Sequence, residues 1–361
     1  MARIKQRSDG RYVATTVING KRKYFYGATE REALMSKEEF LKQSINCEYY
    51  DGDLTITAWA SKWLEIKAKN IAPTTYASYK RMIKTYIIPK IGFIKLAKLN
   101  INHIRTLIND CADQGLSTRI QGYIYTLINS MLKQAVLDEI INKNVASKMK
   151  KPKLIKKKKM ITLIQKEIKA FIKQIESEEL KILFKLAFAT GLRRSEILGL
   201  RWSDINTRNN TISVAQTVVK VDGRIIISPT TKTASSRRTI TIDDITMNEL
   251  KKQRVLVQSR RVKEFRWINN DLVFPNRIGK PLNPDSLTFY CRKYAAAIGK
   301  KGFTFHYIRH THATSLLEQG VNFKVVQVRL GHSSFKETMD TYSHVTPIME
   351  FDIAPKLKKL R

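Results

Sequence analysis

Between Lys148 and Lys159 the chain reads Lys-Met-Lys-Lys-Pro-Lys-Leu-Ile-Lys-Lys-Lys-Lys, eight lysines and one proline in twelve residues. No apolar periodicity of helix or strand survives there, and charges so dense repel one another, so residues 148–159 read as an extended linker. A chain interrupted in this way must bury its apolar residues separately on the two sides. At 361 residues, 43% of them hydrophobic, it has enough for roughly two to three domains. Its 66 Lys and Arg against 31 Asp and Glu leave a net charge of +35. That exceeds what solubility requires and suits a polyanionic partner, of which nucleic acid is the commonest. Cys47, Cys111 and Cys291 are too scattered for a disulfide framework or a paired metal motif, which fits a reducing compartment. No apolar run nears the roughly 20 residues of a membrane span, and MARIKQRSDG holds no hydrophobic signal core. A cytoplasmic location without membrane association is expected.

Residues 1–50 read as a small sheet followed by a helix. Arg11 to Ile18 and Lys21 to Tyr26 are β-rich runs joined by Asn19-Gly20, the signature of a two-residue type I′ turn. Asp9-Gly10 marks another turn, so residues from Arg3 to Gln6 can add a third strand. Thr29 with Glu32 predicts a capped helix start. Arg3, Lys5, Arg7, Arg11, Lys21, Arg22 and Lys23 face a single acid, Asp9. A twisted basic sheet of this kind can enter a major groove; it can also be a solvated edge guarded by its lysines.

Residues 54–147 carry helical spacing throughout. Thr55 opens a helix with Ile56, Trp59, Trp63 and Ile66 on one face. Pro73 opens a second, with Tyr76, Tyr79, Ile83 and Tyr86, and Pro89 is expected to stop it. Ile104, Leu107 and Ile108 mark a third, and a fourth runs from Ser117 to Ile140. The aromatic stripe reads as core, giving a four-helix unit. From Met160 the pattern is mixed. Thr162 to Gln165 matches a capping box, and a helical stretch runs to Ala189 before Thr190-Gly191 breaks it. Strands at 211–219 and 224–228 flank Asp222-Gly223, and Arg237 to Ile242 supplies a third strand. Beyond Asp285 the pattern is helical almost to the end.

Four segments could carry chemistry: Ala189-Thr-Gly-Leu-Arg-Arg-Ser-Glu-Ile-Leu-Gly-Leu200, Thr231-Lys-Thr-Ala-Ser-Ser-Arg-Arg238, His306-Tyr-Ile-Arg-His-Thr311, and Leu330-Gly-His-Ser-Ser334 running on to Tyr342. Breaking and rejoining a phosphodiester without a metal requires forked cations on the non-bridging oxygens. It also requires a nucleophile that stays bonded to phosphorus, and an acid for the departing sugar oxygen. Arg193, Arg309, Lys232, His306, His332 and Tyr342 could fill those roles. Each alone says little: Gly191 can be a helix C-cap, and Lys232 is one lysine among many. His306 and His310 have the i,i+4 spacing of metal ligands, but the glutamate of HExxH is missing. The ordered combination is what carries weight.

In that order the segments resemble the tyrosine recombinase/integrase family, of the phage or integrative conjugative element type. The resemblance covers essentially the whole chain and is most specific in Thr190-Gly-Leu-Arg-Arg-Ser-Glu196, His306-x-x-Arg309-His-Thr311 and Leu330-Gly-His332 with Tyr342 ten residues on. It implies that Arg193 and Arg309 clamp the scissile phosphate and that Lys232 protonates the 5′-oxygen. His306 would take the tyrosine proton, His332 would donate to the phosphate, and Tyr342 would form a 3′-phosphotyrosyl bond. Glu196 would support the site without doing chemistry, and neither metal nor other cofactor would be required. The implied architecture is multidomain: an arm-binding sheet-plus-helix domain at 1–50, an all-helical core-binding domain at 54–147, the 148–159 linker, a mixed α+β, mainly helical catalytic domain at 160–345, and a tail at 346–361 that docks on a neighbouring protomer. Lys150, Lys151, Lys153, Lys156, Lys157, Lys158 and Lys159 would follow a phosphate backbone.

The function implied is that of a site-specific DNA recombinase moving a mobile element. It would act on double-stranded DNA at core and arm sites, as a homotetramer in the synapse, with an excisionase or DNA-bending accessory protein setting direction. A non-catalytic DNA-binding regulator or architectural protein would explain the charge, the basic sheet and the linker, but not the arginine motifs or Tyr342. A relaxing topoisomerase of the same chemistry and a metal nuclease built on His306, His310 and His312 are the remaining alternatives.

Overall fold

The computed structural model describes residues 5–18, 21–45, 54–153, 161–229 and 237–331, which divide into one unit ending at Ile155 and another beginning at Lys156. In the first unit, strands β1 (Lys5–Gln6), β2 (Tyr12–Ile18) and β3 (Lys21–Gly27) form an antiparallel sheet in that order. Tyr12 pairs with Gly27 and Ile18 with Lys21, the register a two-residue connection imposes; Asn19, Gly20 and Arg3 lie outside the described residues. Helix α1 (Glu30–Ile45) follows. Its first turn is closed as Glu32 N–H donates to Thr29 Oγ1, while the Glu32 carboxylate reaches back to Ala28 N–H rather than to Thr29. Buried Ala14 and Ala33 let helix and sheet approach closely, and a Cβ on Gly27 would sit 2.4 Å from the Ala33 nitrogen. On the sheet, Arg7 and Arg11 both lie 5.6 Å from the Tyr26 ring centroid, and Arg22 and Lys23 are exposed.

Helices α2 (Ile56–Ala68), α3 (Pro73–Met82), α4 (Ile88–Ile91), α5 (Ile101–Asp113) and α6 (Thr118–Leu137) enclose a second core. Thr55, Asn100 and Ser117 cap three of them with side-chain oxygens. Trp59 and Trp63 are buried, Trp59 donating to the Met131 carbonyl and Trp63 stacking on Tyr79 at 5.6 Å. The aromatic stripe is core, as its spacing predicts, but Ile66 is exposed and the buried face ends at Leu64. Pro89 does not stop its helix. A π-helical turn at Ile83–Ile87 widens the coil so that Ile88 N–H bonds to the Ile83 carbonyl, and the proline ring and its missing donor are absorbed in α4.

The start of the lysine run is also corrected. Lys148 ends a 3₁₀ turn (Val145–Lys148), and the Tyr125 hydroxyl lies 3.1 Å from the Ala146 carbonyl and 2.8 Å from that of Met149. Lys151 passes over Gly122, where a Cβ would come within 3.3 Å of it. Residues through Pro152 thus pack on the helices, while Lys148, Lys150, Lys151 and Lys153 keep exposed ammonium-bearing side chains. Lys156, Lys157, Lys158 and Lys159 lie outside the described residues.

The second unit contains α7 (Gln165–Lys173), α8 (Glu178–Thr190), α9 (Arg194–Gly199), α10 (Asp244–Lys263), α11 (Pro284–Ala297), α12 (Phe305–Glu318) and α13 (Phe323–Leu330). Its core gathers Phe171, Phe184, Phe303 and Phe305 with Tyr294. Helix α7 starts two residues later than the Thr162 motif predicts, with Glu167 accepting from Ile164 N–H. The strands are β4 (Ile205–Asn206), β5 (Thr211–Val214), β6 (Gln216–Val221), β7 (Arg224–Pro229) and β8 (Arg238–Thr241). The expected 211–219 strand is broken at Ala215, so β5 pairs with β4 and β8 in one sheet and β6 with β7 in another. Asp222 and Gly223, both at positive φ, make the β6–β7 turn. Placing β8 beside β5 brings Arg238 to the strand end nearest α9 and α13.

Candidate active site

The motif at 190–196 forms a helix–turn–helix corner. Helix α8 ends at Gly191, left-handed at φ +65°, where a Cβ would lie 2.6 Å from the His312 ring. Only glycine satisfies both conditions without strain. Leu192 is buried, and Arg193 becomes the N-cap of α9. Glu196 accepts from the Arg193 main-chain N–H at 2.8 Å and from its Nη1 at 2.8 Å. Arg194 turns instead to α11, donating to the Pro284 carbonyl and the Thr288 hydroxyl. Of the two adjacent arginines, Arg193 is therefore the one held at the corner.

Helix α12 brings His306 and Arg309 to the same region. Arg309 is only 2% exposed; its Nη1 donates to the Gly191 carbonyl and its Nη2 to that of Leu330. His306 is exposed one turn away, with its ring 4.5 Å from that of His310.

Three successive main-chain oxygens at the carboxyl end of α13 each receive a different guanidinium. Arg238 Nε donates to Arg329 O at 2.7 Å, Arg309 Nη2 to Leu330 O at 2.6 Å, and Arg193 Nη2 to Gly331 O at 3.0 Å. A helix C-terminus leaves these acceptors unpaired and carries the negative end of the helix dipole, so cations are favoured there. Arg238 also forks onto Glu196, at 3.0 Å and 2.9 Å. Burial alone would raise the Glu196 carboxyl; the hydrogen bonds and charge of Arg238, with Arg193, outweigh it and hold the group at about 2.

A further layer sits behind. Arg329 reaches the Thr241 and Ala189 carbonyls and donates to His312 Nε2, which leaves His312 Nδ1 to donate to the Phe188 carbonyl. Burial, then the nearby Arg329 charge, pushes His312 down to about 4. With both ring nitrogens turned to these partners, His312 is not arrayed with His306 and His310 as a metal ligand. Among the described residues no group of three His, Cys, Asp or Glu is gathered for a metal ion, and no helix is long and apolar enough to cross a membrane.

Of the residues singled out from sequence, Arg193, Glu196 and Arg309 meet at the end of α13, with His306 on the same helix as Arg309. Lys232, His332 and Tyr342 lie outside the described residues. Lys220, the other lysine of the hairpin region, is paired with Asp285 at 2.7 Å. Arg238, His312 and Arg329 were missed as contributors. Their sequence signal is slight: Arg238 closes the Ser235-Ser-Arg-Arg238 run, and His312 follows His310 by two.

A mainly helical unit in which half-exposed Arg193 and buried Arg309 close on the end of one helix, with a small sheet supplying a third arginine, defines a tyrosine-type site-specific DNA recombinase. The chain belongs to the phage integrase family: that family's pattern matches residues 161–348, and the phage integrase N-terminal SAM-like domain matches residues 55–112. It is 30% identical, over 95% of its length and 93% of the relative's, to a XerC-like tyrosine recombinase of Caldanaerobacter subterraneus subsp. tengcongensis. It is 27% identical to the ICEBs1 integrase of Bacillus subtilis, over 80% of this chain and 78% of that one. In fold it is similar to the Tn1549 transposon integrase solved with circular intermediate DNA (TM-score 0.71, 19% identity, 85% of this chain and 100% of that one). It also matches a lambda integrase dimer bound to a core site (TM-score 0.62, 20% identity, 94% of each chain).

Proposed function

We propose that the chain integrates and excises a mobile element by conservative strand exchange, with Tyr342 as nucleophile. The Tyr342 hydroxyl attacks the scissile phosphorus, a P–O bond to tyrosine forms, and the P–O5′ bond breaks. His306 receives the phenolic proton, Lys232 delivers one to the departing 5′-oxygen, and His332 donates to a non-bridging oxygen. Arg193 and Arg309 hold the charge that builds on those oxygens. A 5′-hydroxyl of the partner strand then attacks the phosphotyrosine, restoring a phosphodiester and the free tyrosine. One ester is exchanged for another, so the bond energy is conserved and no ATP enters.

The observation that carries this reading is the meeting of Arg193 and Arg309 at Gly331 and Leu330, immediately before His332 in the chain. Three domains bind or act on double-stranded DNA: residues 1–50 at arm sites through Arg7, Arg11, Arg22 and Lys23, residues 54–147 at the core site, and residues 160–345 at the cleavage point. The lysines from 150 to 159 follow the backbone between the last two, and joining modules on one chain raises their effective concentrations for one another. Lambda integrase has been solved as a tetramer on a Holliday junction; by that likeness four copies assemble here, each tail at 346–361 docking on a neighbour. Accessory bending or excision proteins set direction, and the reaction takes place in the bacterial cytoplasm. The test is a nicked suicide substrate resolved on a denaturing gel. A covalent adduct mapping to Tyr342, and absent from Tyr342→Phe, is expected; DNA binding without any adduct would make the chain a non-catalytic DNA-binding protein.

A further inference from the structure

Arg193 has to remain partly open to solvent to meet a phosphate, and its side chain is 39% exposed. An arginine so exposed gives up much rotamer freedom when fixed, and a carboxylate that itself swings would fix it poorly. Glu196 does not swing. Its oxygens are locked by the fork of Arg238, both side chains being almost wholly buried (5% and 3% exposed). The charges matter as much as the geometry. One carboxylate faces two guanidiniums; because Arg238 neutralises Glu196 from behind, the outward charge of Arg193 is not cancelled by its own partner. That difference acts on a developing phosphorane charge held by Arg193. The same Arg238 fixes Arg329 O, so one side chain ties the 193–196 corner to the end of α13.

We propose that Arg238 is a positioning residue for strand cleavage, aiming and un-neutralising Arg193 through Glu196 while holding the carboxyl end of α13. The proposal rests on the reading of Arg193 as a ligand of the scissile phosphate, and the test separates the two. Cleavage rates of the full chain are measured on a suicide substrate with a natural scissile phosphate and on one with a neutral methylphosphonate at that position, for the parent, Arg193→Ala, Arg238→Ala and Arg238→Lys.

Misaiming a group by an ångström is enough for about 100-fold, so Arg238→Ala should be about 10- to 100-fold slower on the natural linkage. On the neutral linkage, where the anionic oxygen is gone, the deficit should shrink to a few-fold. Arg193→Ala should recover in the same way. If Arg193→Ala recovers while Arg238→Ala is slowed equally on both linkages, Arg238 is merely structural and the proposal falls. If Arg193→Ala does not recover, the phosphate-clamp reading falls and takes the proposal with it. Should Arg238→Ala not fold, Arg238→Lys carries the comparison: it keeps a cation but loses the fork, and its smaller deficit must show the same dependence on linkage charge.

Discussion

Arg238 and Glu196 are joined by two hydrogen bonds of 3.0 Å and 2.9 Å, between a strand and a helix 42 residues apart in the chain. Both groups are desolvated, so each depends on the other to offset its burial. Removing one partner of such a pair strands a buried charge, a cost of about 3–5 kcal/mol. Glu196→Ala should therefore lower the stability of the 161–331 region by that order, read as a shift in urea midpoint at pH 7. A change below about 1 kcal/mol would show that water replaces the carboxylate.

Stability should fall in two stages on acidification. His312, held at about 4 against an ordinary 6.5, binds its proton in the unfolded chain before the folded one. Folding is thus favoured less as pH drops from about 6.5 towards 4. Glu196, held at about 2 against an ordinary 4.5, contributes fully above 4.5, and that contribution is lost as pH falls towards 2. Urea midpoints measured from pH 7 to pH 3 test this, and His312→Gln should flatten the upper stage alone.

Gly191→Ala combines a left-handed backbone with a Cβ only 2.6 Å from the His312 ring. Strain at such a position costs about 1–3 kcal/mol, and the displaced corner carries Arg193. Thermal unfolding should register the loss, and cleavage should fall further than stability alone explains.

Arg193→Ala and Arg309→Ala should each reduce single-turnover cleavage by about 100- to 1,000-fold, as loss of an oxyanion donor does, while gel-shift affinity changes little. Equal losses in binding and cleavage would make them backbone contacts instead.

Neutralising Lys150, Lys151, Lys153 and Lys156 together should weaken DNA binding and flatten the slope of log K against log salt by about 3 to 4, since each phosphate left without its lysine removes about 0.9 from the slope. An unchanged slope would show that this stretch does not touch phosphate.

The readable part of the fold was local. Caps at Thr55, Ser117 and Thr29, the Asp222-Gly223 turn and the Trp59–Trp63 stripe each announce themselves within a few residues. Pro89 misled because the remedy, a π turn just upstream, has no composition of its own. The separation of β5–β8 from β6–β7 escaped because pairing partners are chosen by packing at long range, not by strand propensity. At the site, the ordered motifs identified Arg193, Glu196 and Arg309, whereas Arg238, Arg329 and His312 work through carbonyls and each other. A residue whose partner is a main-chain oxygen 91 positions away, as Arg238 Nε is to Arg329 O, leaves no pattern in a linear sequence.

The oxygens at the end of α13 have an implication for how DNA is received. The carbonyls of Leu330 and Gly331 engage Arg309 and Arg193, the two guanidiniums proposed to hold the phosphate, while the carbonyl of Arg329 is held by Arg238. A phosphodiester bound by both arginines, as proposed, would have to outcompete those peptide oxygens, and its charge favours it over neutral acceptors. On the proposed reading, a phosphate that drew both arginines to itself would leave the end of α13 with one of its three clasps, Arg238. On that reading, engagement of a phosphate and release of that terminus would be one exchange of hydrogen-bond acceptors.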